Sequence, residues 1–252
     1  MELDKYFDKL EYLLVDIAAI KINFAFFEHY LDERTMEKFV TCAQEAQICA
    51  IADAKRCDVA SSAEYYSRRI LETLEFDAVT VSPYMGLDSL TPFLAQKEKL
   101  TFVLALTSNP GAGDFQFHPY SSLEDALVGY QIKGLEEPLF VKVVKKVYAH
   151  AQNYPGDVGF VVGATRAEAV GLIRSLAPDA YILVPGVGAQ GGSLEAVLEQ
   201  TTHRVLINVS RDILRAYQSV DLSRYSGAHY PEMRAIEDKI NEYKARMRPY
   251  FD

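Results

Sequence analysis

No apolar run in the chain is long enough to cross a bilayer, and the opening MELDKYFDKLEYL is too charged for the hydrophobic stretch of a secretory signal. The expectation is therefore a cytoplasmic protein. Cysteine is scarce. The three present, Cys42, Cys49 and Cys57, are odd in number and form no CxxC, which argues against a disulfide framework or a structural zinc site. The five histidines form neither HxH nor HExxH, so spacing gives no sign of a metal centre, although carboxylates alone can hold magnesium. Basic residues are outnumbered, 26 to 35, for a net charge of −9. That balance disfavours a general nucleic-acid or membrane-surface binder, and an anionic ligand would need a local basic pocket. Pro/Ser-rich linkers, low-complexity tracts and short repeats are also missing, so residues 1–252 read most simply as one domain.

What the chain does have is alternation. Short apolar runs, Ala18–Phe24, Gln47–Ala54, Ala78–Ser82, Thr101–Thr107, Val158–Gly163, Tyr181–Val184 and Val205–Val209, are separated by amphipathic stretches such as Ala63–Leu74 and Glu137–Gln152. This pattern predicts parallel strands joined by helices. The longest irregular stretch, about Ser108–Gly134, reads as a mobile loop over a site. Leu3, Phe7, Leu10, Leu14 and Ile17 are spaced for one face of an N-terminal helix over 1–17. A surface helix is expected over 231–246.

The strand faces carry more information. Period-2 alternation sets Lys21 and Asn23 opposite Ile20, Ile22 and Phe24, and places Asp53 and Lys55 on the side of Ile51. Polar side chains converging near strand C-termini, with helices packed outside, are what the catalytic end of a (β/α) TIM barrel needs. An open doubly wound sheet would normally bury both strand faces apolar, so the barrel is favoured. Residues 52–62, ADAKRCDVASS, end an apolar strand with Asp53, Lys55, Arg56 and Asp58. Charges there are costly unless they pair or work.

The segments DAKRCDVASS, SPYMGLDSLTPFL, LALTSNPGAGDFQ, VVGAT, VPGVGAQGG and NVSRDIL, in that order, resemble the orotidine 5′-phosphate decarboxylases of the bacterial type 2 subfamily. The resemblance runs from about Lys21 to Tyr217. It implies a homodimeric (β/α)₈ barrel that converts orotidine 5′-monophosphate to UMP without metal or cofactor. The family signature D-x-K-x-x-D-[I/V]-x-x-[T/S] fits Asp53, Lys55, Asp58, Val59 and Ser62, and Lys21 in KINFAFFE fits the lysine of the preceding strand. By this resemblance Lys55 protonates C6 as carbon dioxide leaves, and Asp53 lies beside the substrate carboxylate. Asp58 would reach into the partner's site, with Asn23, Val59 and Ser62 as further substrate contacts.

The phosphate end is legible separately. PGVGAQGG is a glycine-rich turn between a strand and the helical SLEAVLEQ, suited to close backbone approach by a phosphate. Arg211, just past the next strand, adds a fork-shaped cation. The resemblance assigns Gln190 and Arg211 to the 5′-phosphate and Ser108 to the pyrimidine. Two departures stand out. Seven strands are visible, and the usual first strand, ending in a GLDP-like segment, is missing. Cys57 stands where glycine is common. Two alternatives therefore remain open at this stage. One is a truncated or degenerate nucleotide-phosphate binder without turnover. The other is a magnesium-dependent sugar-phosphate decarboxylase of the same superfamily.

Overall fold

Each of the seven apolar runs forms a strand. The computed structural model of the chain describes residues 17–30, 33–188, 191–219, 221–225 and 230–251. The strands are β1 (Ala19–Asn23), β2 (Cys49–Arg56), β3 (Ala78–Val81), β4 (Leu100–Leu106), β5 (Asp157–Val162), β6 (Tyr181–Pro185) and β7 (Val205–Asn208). They pair in chain order and in parallel, with registers such as Asn23 opposite Asp53 and Val79 opposite Thr101. Parallel neighbours need a crossover, and helices supply it. These are α1 (Phe24–Tyr30), α2 (Glu33–Glu45), α3 (Ala60–Ser67), α4 (Thr91–Leu94), α5 (Leu123–Gln131), α6 (Leu139–Ala151), α7 (Ala167–Leu176), α8 (Leu194–Leu198), α9 (Arg211–Leu214) and α10 (Pro231–Met247). The fold is a TIM-barrel-like α/β architecture, as the strand alternation predicts. Among the described residues no helix is long and apolar enough to cross a membrane.

Alternation along the strands divides the core in two. Ile22, Val79, Val81, Val103, Phe160, Val162, Ile182 and Val184 face outward and bury against the helices, for example Val144 and Val147 of α6 and Val170 and Ile173 of α7. Ile51, Ala78, Phe102, Val161 and Leu183 face inward and fill the barrel. Phe102 has room there because β5 carries Gly159, where a Cβ would lie 2.6 Å from the ring. Large side chains from some strands set against small ones from their neighbours fill such an interior.

The barrel is not closed by hydrogen bonds among the described residues. β1 pairs only with β2 and β7 only with β6, leaving a seam between β1 and β7. Every residue of β3 is buried, whereas those of β7 are all half-buried, as expected beside the seam.

Two expectations need adjusting. The stretch after β4 is not irregular throughout. Pro110–Asp114 forms a 3₁₀ turn, and α5 starts at a Ser122 cap whose Oγ accepts from Asp125 N at 3.1 Å. Ser-x-x-Asp ahead of an apolar run is a helix-start signal that the loop reading passed over. The helix expected over Ala63–Leu74 starts earlier, at Ala60, and its last turns widen into a π segment over Arg68–Thr73. The N-terminal helix expected over 1–17 lies outside the described residues apart from Ile17, which packs against Met233, Ile236 and Ile240 of α10.

Candidate active site

At the C-terminal mouth of the barrel, β1 and β2 bring three charges together. Register places Lys21 opposite Ile51 and Asn23 opposite Asp53, so the lysine and the aspartate project from adjacent strands on the inner face. Lys21 Nζ donates to Asp53 Oδ2 and Lys55 Nζ to Asp53 Oδ1, so each carboxylate oxygen faces one ammonium. Thr80 Oγ1, from β3, also donates to Asp53 Oδ1 at 3.1 Å, while accepting the Lys55 backbone N–H at 3.0 Å. Burial on its own would push the Asp53 carboxyl up. The Lys21 charge and hydrogen bond, with those of Lys55, outweigh it and hold the group below the usual carboxylate range.

The two lysines differ in access. The Lys21 side chain is 12 % exposed and that of Lys55 48 %, so Lys21 is an interior counter-charge and Lys55 faces the open mouth. Lys55 gets there through irregular backbone. Between Ala52 and Arg56 the β2–β3 register shifts, and Lys55 has φ 45°, in the left-handed region that favours glycine. A bulge of this kind re-aims a side chain beside a site. Strand alternation alone does not foretell it.

The ends of β1 and β2 are held to one another. Arg56 hydrogen-bonds Glu28 of α1 and stacks over the rings of Phe24, at 5.6 Å, and Tyr66, at 4.9 Å. Asn23 Oδ1 accepts from Ala25 N at 3.1 Å, turning β1 into α1.

The other sequence candidates surround this cluster unevenly. Asp58 Oδ1 accepts from its neighbour Val59 N at 2.8 Å, and no described cation pairs with it. Val59 is exposed ahead of α3, and Ser62 is half-buried in the first turn of that helix. Ser108 follows β4, and Gly163 at the end of β5 packs against it so closely that a Cβ would lie 2.7 Å from Ser108 N and Cβ. Gln116 ties down the base of that loop, accepting from Thr107 N and donating to Thr107 Oγ1, both at 2.8 Å. Thr80 and Gln116 are the site-supporting residues that sequence reasoning missed. A threonine in an apolar strand reads as a β-former, and a glutamine in a loop reads as solvated.

Gly186, Gly188 and Gly191 all have positive φ (97°, 75° and 80°), so the turn after β6 needs its glycines. Gln190 lies outside the described residues. Arg211 begins α9 with its guanidinium exposed and with no partner among the described residues.

A model of the "Orotidine 5'-phosphate decarboxylase / HUMPS family" matches residues 3–224. The chain belongs to that family. Orotidine 5'-phosphate decarboxylase of Roseiflexus castenholzii is 38 % identical over 231 residues, 89 % of this chain and 78 % of the relative. That of Porphyromonas gingivalis is 40 % identical over 216 residues, covering 79 % and 69 %. Among solved structures, the OMP decarboxylase of Leishmania donovani superposes with a TM-score of 0.70 at 31 % identity, covering 96 % of this chain and 88 % of that one. The UMP synthase of the same organism gives 0.71 at 34 %, and the chain spans 50 % of its length. The family match takes in every strand of the barrel and ends ahead of α10.

Proposed function

We propose that the chain catalyses decarboxylation of orotidine 5′-monophosphate to UMP in pyrimidine nucleotide synthesis, as its relatives are named to do. The observation that carries this reading is Asp53 held between Lys21 and Lys55 at the mouth of a barrel of that family. In the step, the C6–carboxylate bond breaks, carbon dioxide departs, and the electron pair stays on C6. Lys55 Nζ then gives C6 a proton. That carbanion has little resonance help, so a fixed ammonium aimed at it lowers the barrier without solvent reorganisation. Asp53, ionised because its carboxyl sits below the usual range, keeps the two ammonium groups together and lies beside the substrate carboxylate. Ser108 contacts the pyrimidine. Asn23, Val59 and Ser62 line the nucleotide, and Gln190 and Arg211 hold the phosphate.

The same reading makes the protein a cytoplasmic homodimer of single-domain chains, with Asp58 completing the partner's site. Its support is that Asp58 finds no cation among the described residues and that Val59 and Tyr65, ahead of and on α3, and Tyr84 and Met85, after β3, stand exposed. Large apolar and aromatic side chains left exposed are the kind an interaction surface covers.

The test is to mix the purified chain with orotidine 5′-monophosphate and a chelator and to follow the pyrimidine absorbance. Turnover that vanishes in Lys55→Ala while UMP still binds is the expected result. Activity that needs added magnesium, or that Lys55→Ala retains, overturns the assignment.

A further inference from the structure

The C-terminal helix contacts the glycine-rich turn and the two helices, α8 and α9, that follow it in the chain. Tyr243, 5 % exposed, donates its hydroxyl to Asp212 Oδ2 at 2.6 Å, and Asp212 directly follows Arg211 in the first turn of α9. The same hydroxyl lies 2.7 Å from where a Cβ on Gly188 would stand, so the turn rests on the phenol. One helical turn on, Arg246 makes two bonds to Glu195, at 2.8 and 3.1 Å, and its guanidinium lies 5.2 Å over the Tyr243 ring. Glu195 is in the first turn of α8, the helix that follows the glycine turn. Lys239 adds a second contact to Asp212, at 4.0 Å. Residues 239, 243 and 246 share one face of α10, and they reach the turn itself, the helix α8 that follows it and the start of α9.

We infer that Tyr243, acting through Asp212 and Gly188, is a positioning residue for the phosphate-binding end of the site. The inference rests on the reading that Arg211 and the turn hold the 5′-phosphate. It extends the machinery to a helix beyond the segment matched by the family model. Arg211 is exposed and its own guanidinium has no partner among the described residues, so its aim depends on how α9 is anchored. Asp212 supplies that anchor and Tyr243 fixes Asp212. Burial, then the Asp212 bond, pushes the phenol up to about 12, so it remains a donor at any pH the protein meets. Binding energy far from the reacting carbon is what organises such a site for the chemical step.

The experiment compares UMP and uridine affinity by calorimetry, and KM and kcat for orotidine 5′-monophosphate, in the full chain and in Tyr243→Phe, Asp212→Ala, their double variant and Arg211→Ala. Melting temperature is followed throughout. Tyr243→Phe is expected to weaken UMP about tenfold, to move uridine less than about twofold, and to raise KM more than it lowers kcat. The double variant should bind UMP no more weakly than Asp212→Ala, because either substitution already removes the Tyr243–Asp212 bond. Equal losses on UMP and uridine, or unchanged UMP affinity in Tyr243→Phe while Arg211→Ala loses it, overturn the role of Tyr243. If Arg211→Ala itself leaves UMP affinity intact, the phosphate reading beneath the inference falls.

Discussion

At the scale of single residues, Asp53 is the group on which the site balances. Its two oxygens serve two ammonium groups and a threonine hydroxyl, and it is 8 % exposed. Asp53→Asn strands Lys21, a nearly buried cation, without its counter-charge. Breaking a buried pair in this way costs on the order of 3–5 kcal/mol. Asp53 is depressed in the fold, so the stability it contributes is complete above the unfolded aspartate value, about 3.9, and is lost as pH falls through the folded value. Denaturant titrations at neutral and acid pH should show Asp53→Asn far less stable at neutrality, with the gap narrowing on acidification. A gap that stays constant with pH would remove the ion-pair explanation. Lys21 and Asp53 were legible from the sequence because alternation put them on inward faces, whereas Lys55 was legible as a charge at the strand end but its aim comes from the bulge. Thr80 was not legible, because its value depends on sitting beside Asp53 across the β2–β3 pairing, which the sequence does not announce.

At the scale of elements, the loops at the barrel mouth are set by close packing as much as by hydrogen bonds. Gly163 admits Ser108 to within contact, and Gly192 does the same for Ala164, whose Cβ would lie 2.3 Å from an added Cβ. The short 163–166 turn thus braces the β4 loop on one side and the glycine-rich turn on the other. Gly163→Ala should force the two backbones apart, costing roughly 1–3 kcal/mol of stability and lowering kcat/KM by displacing Ser108. Thermal melts and steady-state rates on the same preparation check this, and an alanine variant with wild-type values would mean that the contact is looser than it looks. The strands and most helices follow from apolar periodicity. The bracing does not, since a glycine after a strand signals a turn without naming the backbone it must let through. The 108–134 stretch misled for a related reason, its helix being announced by a single Ser122 cap amid glycine, proline and aromatic residues.

For the whole molecule, the open question of assembly has a direct answer in mixing. If Asp58 works in the partner's site, Lys55→Ala and Asp58→Ala are each inactive alone, yet combined they form mixed dimers with one intact site. Random pairing of protomers across a two-fold interface should then restore about a quarter of wild-type activity. No recovery after co-refolding would place Asp58 in its own chain's site or outside the chemistry altogether. Chain topology gave the barrel, because parallel neighbours joined by helices leave few alternatives. The seam between β1 and β7 among the described residues matches the seven strands that the sequence shows. The Lys55 backbone carries a further consequence. Its left-handed φ would suit glycine, and its ion pair, half open to water, offsets little of that strain. A glycine at 55 should therefore melt higher than an alanine there, and higher than the native chain, while turning over nothing. That outcome would mean that, where Lys55 serves as the proposed proton donor, selection for thermal robustness and selection for turnover pull this position in opposite directions.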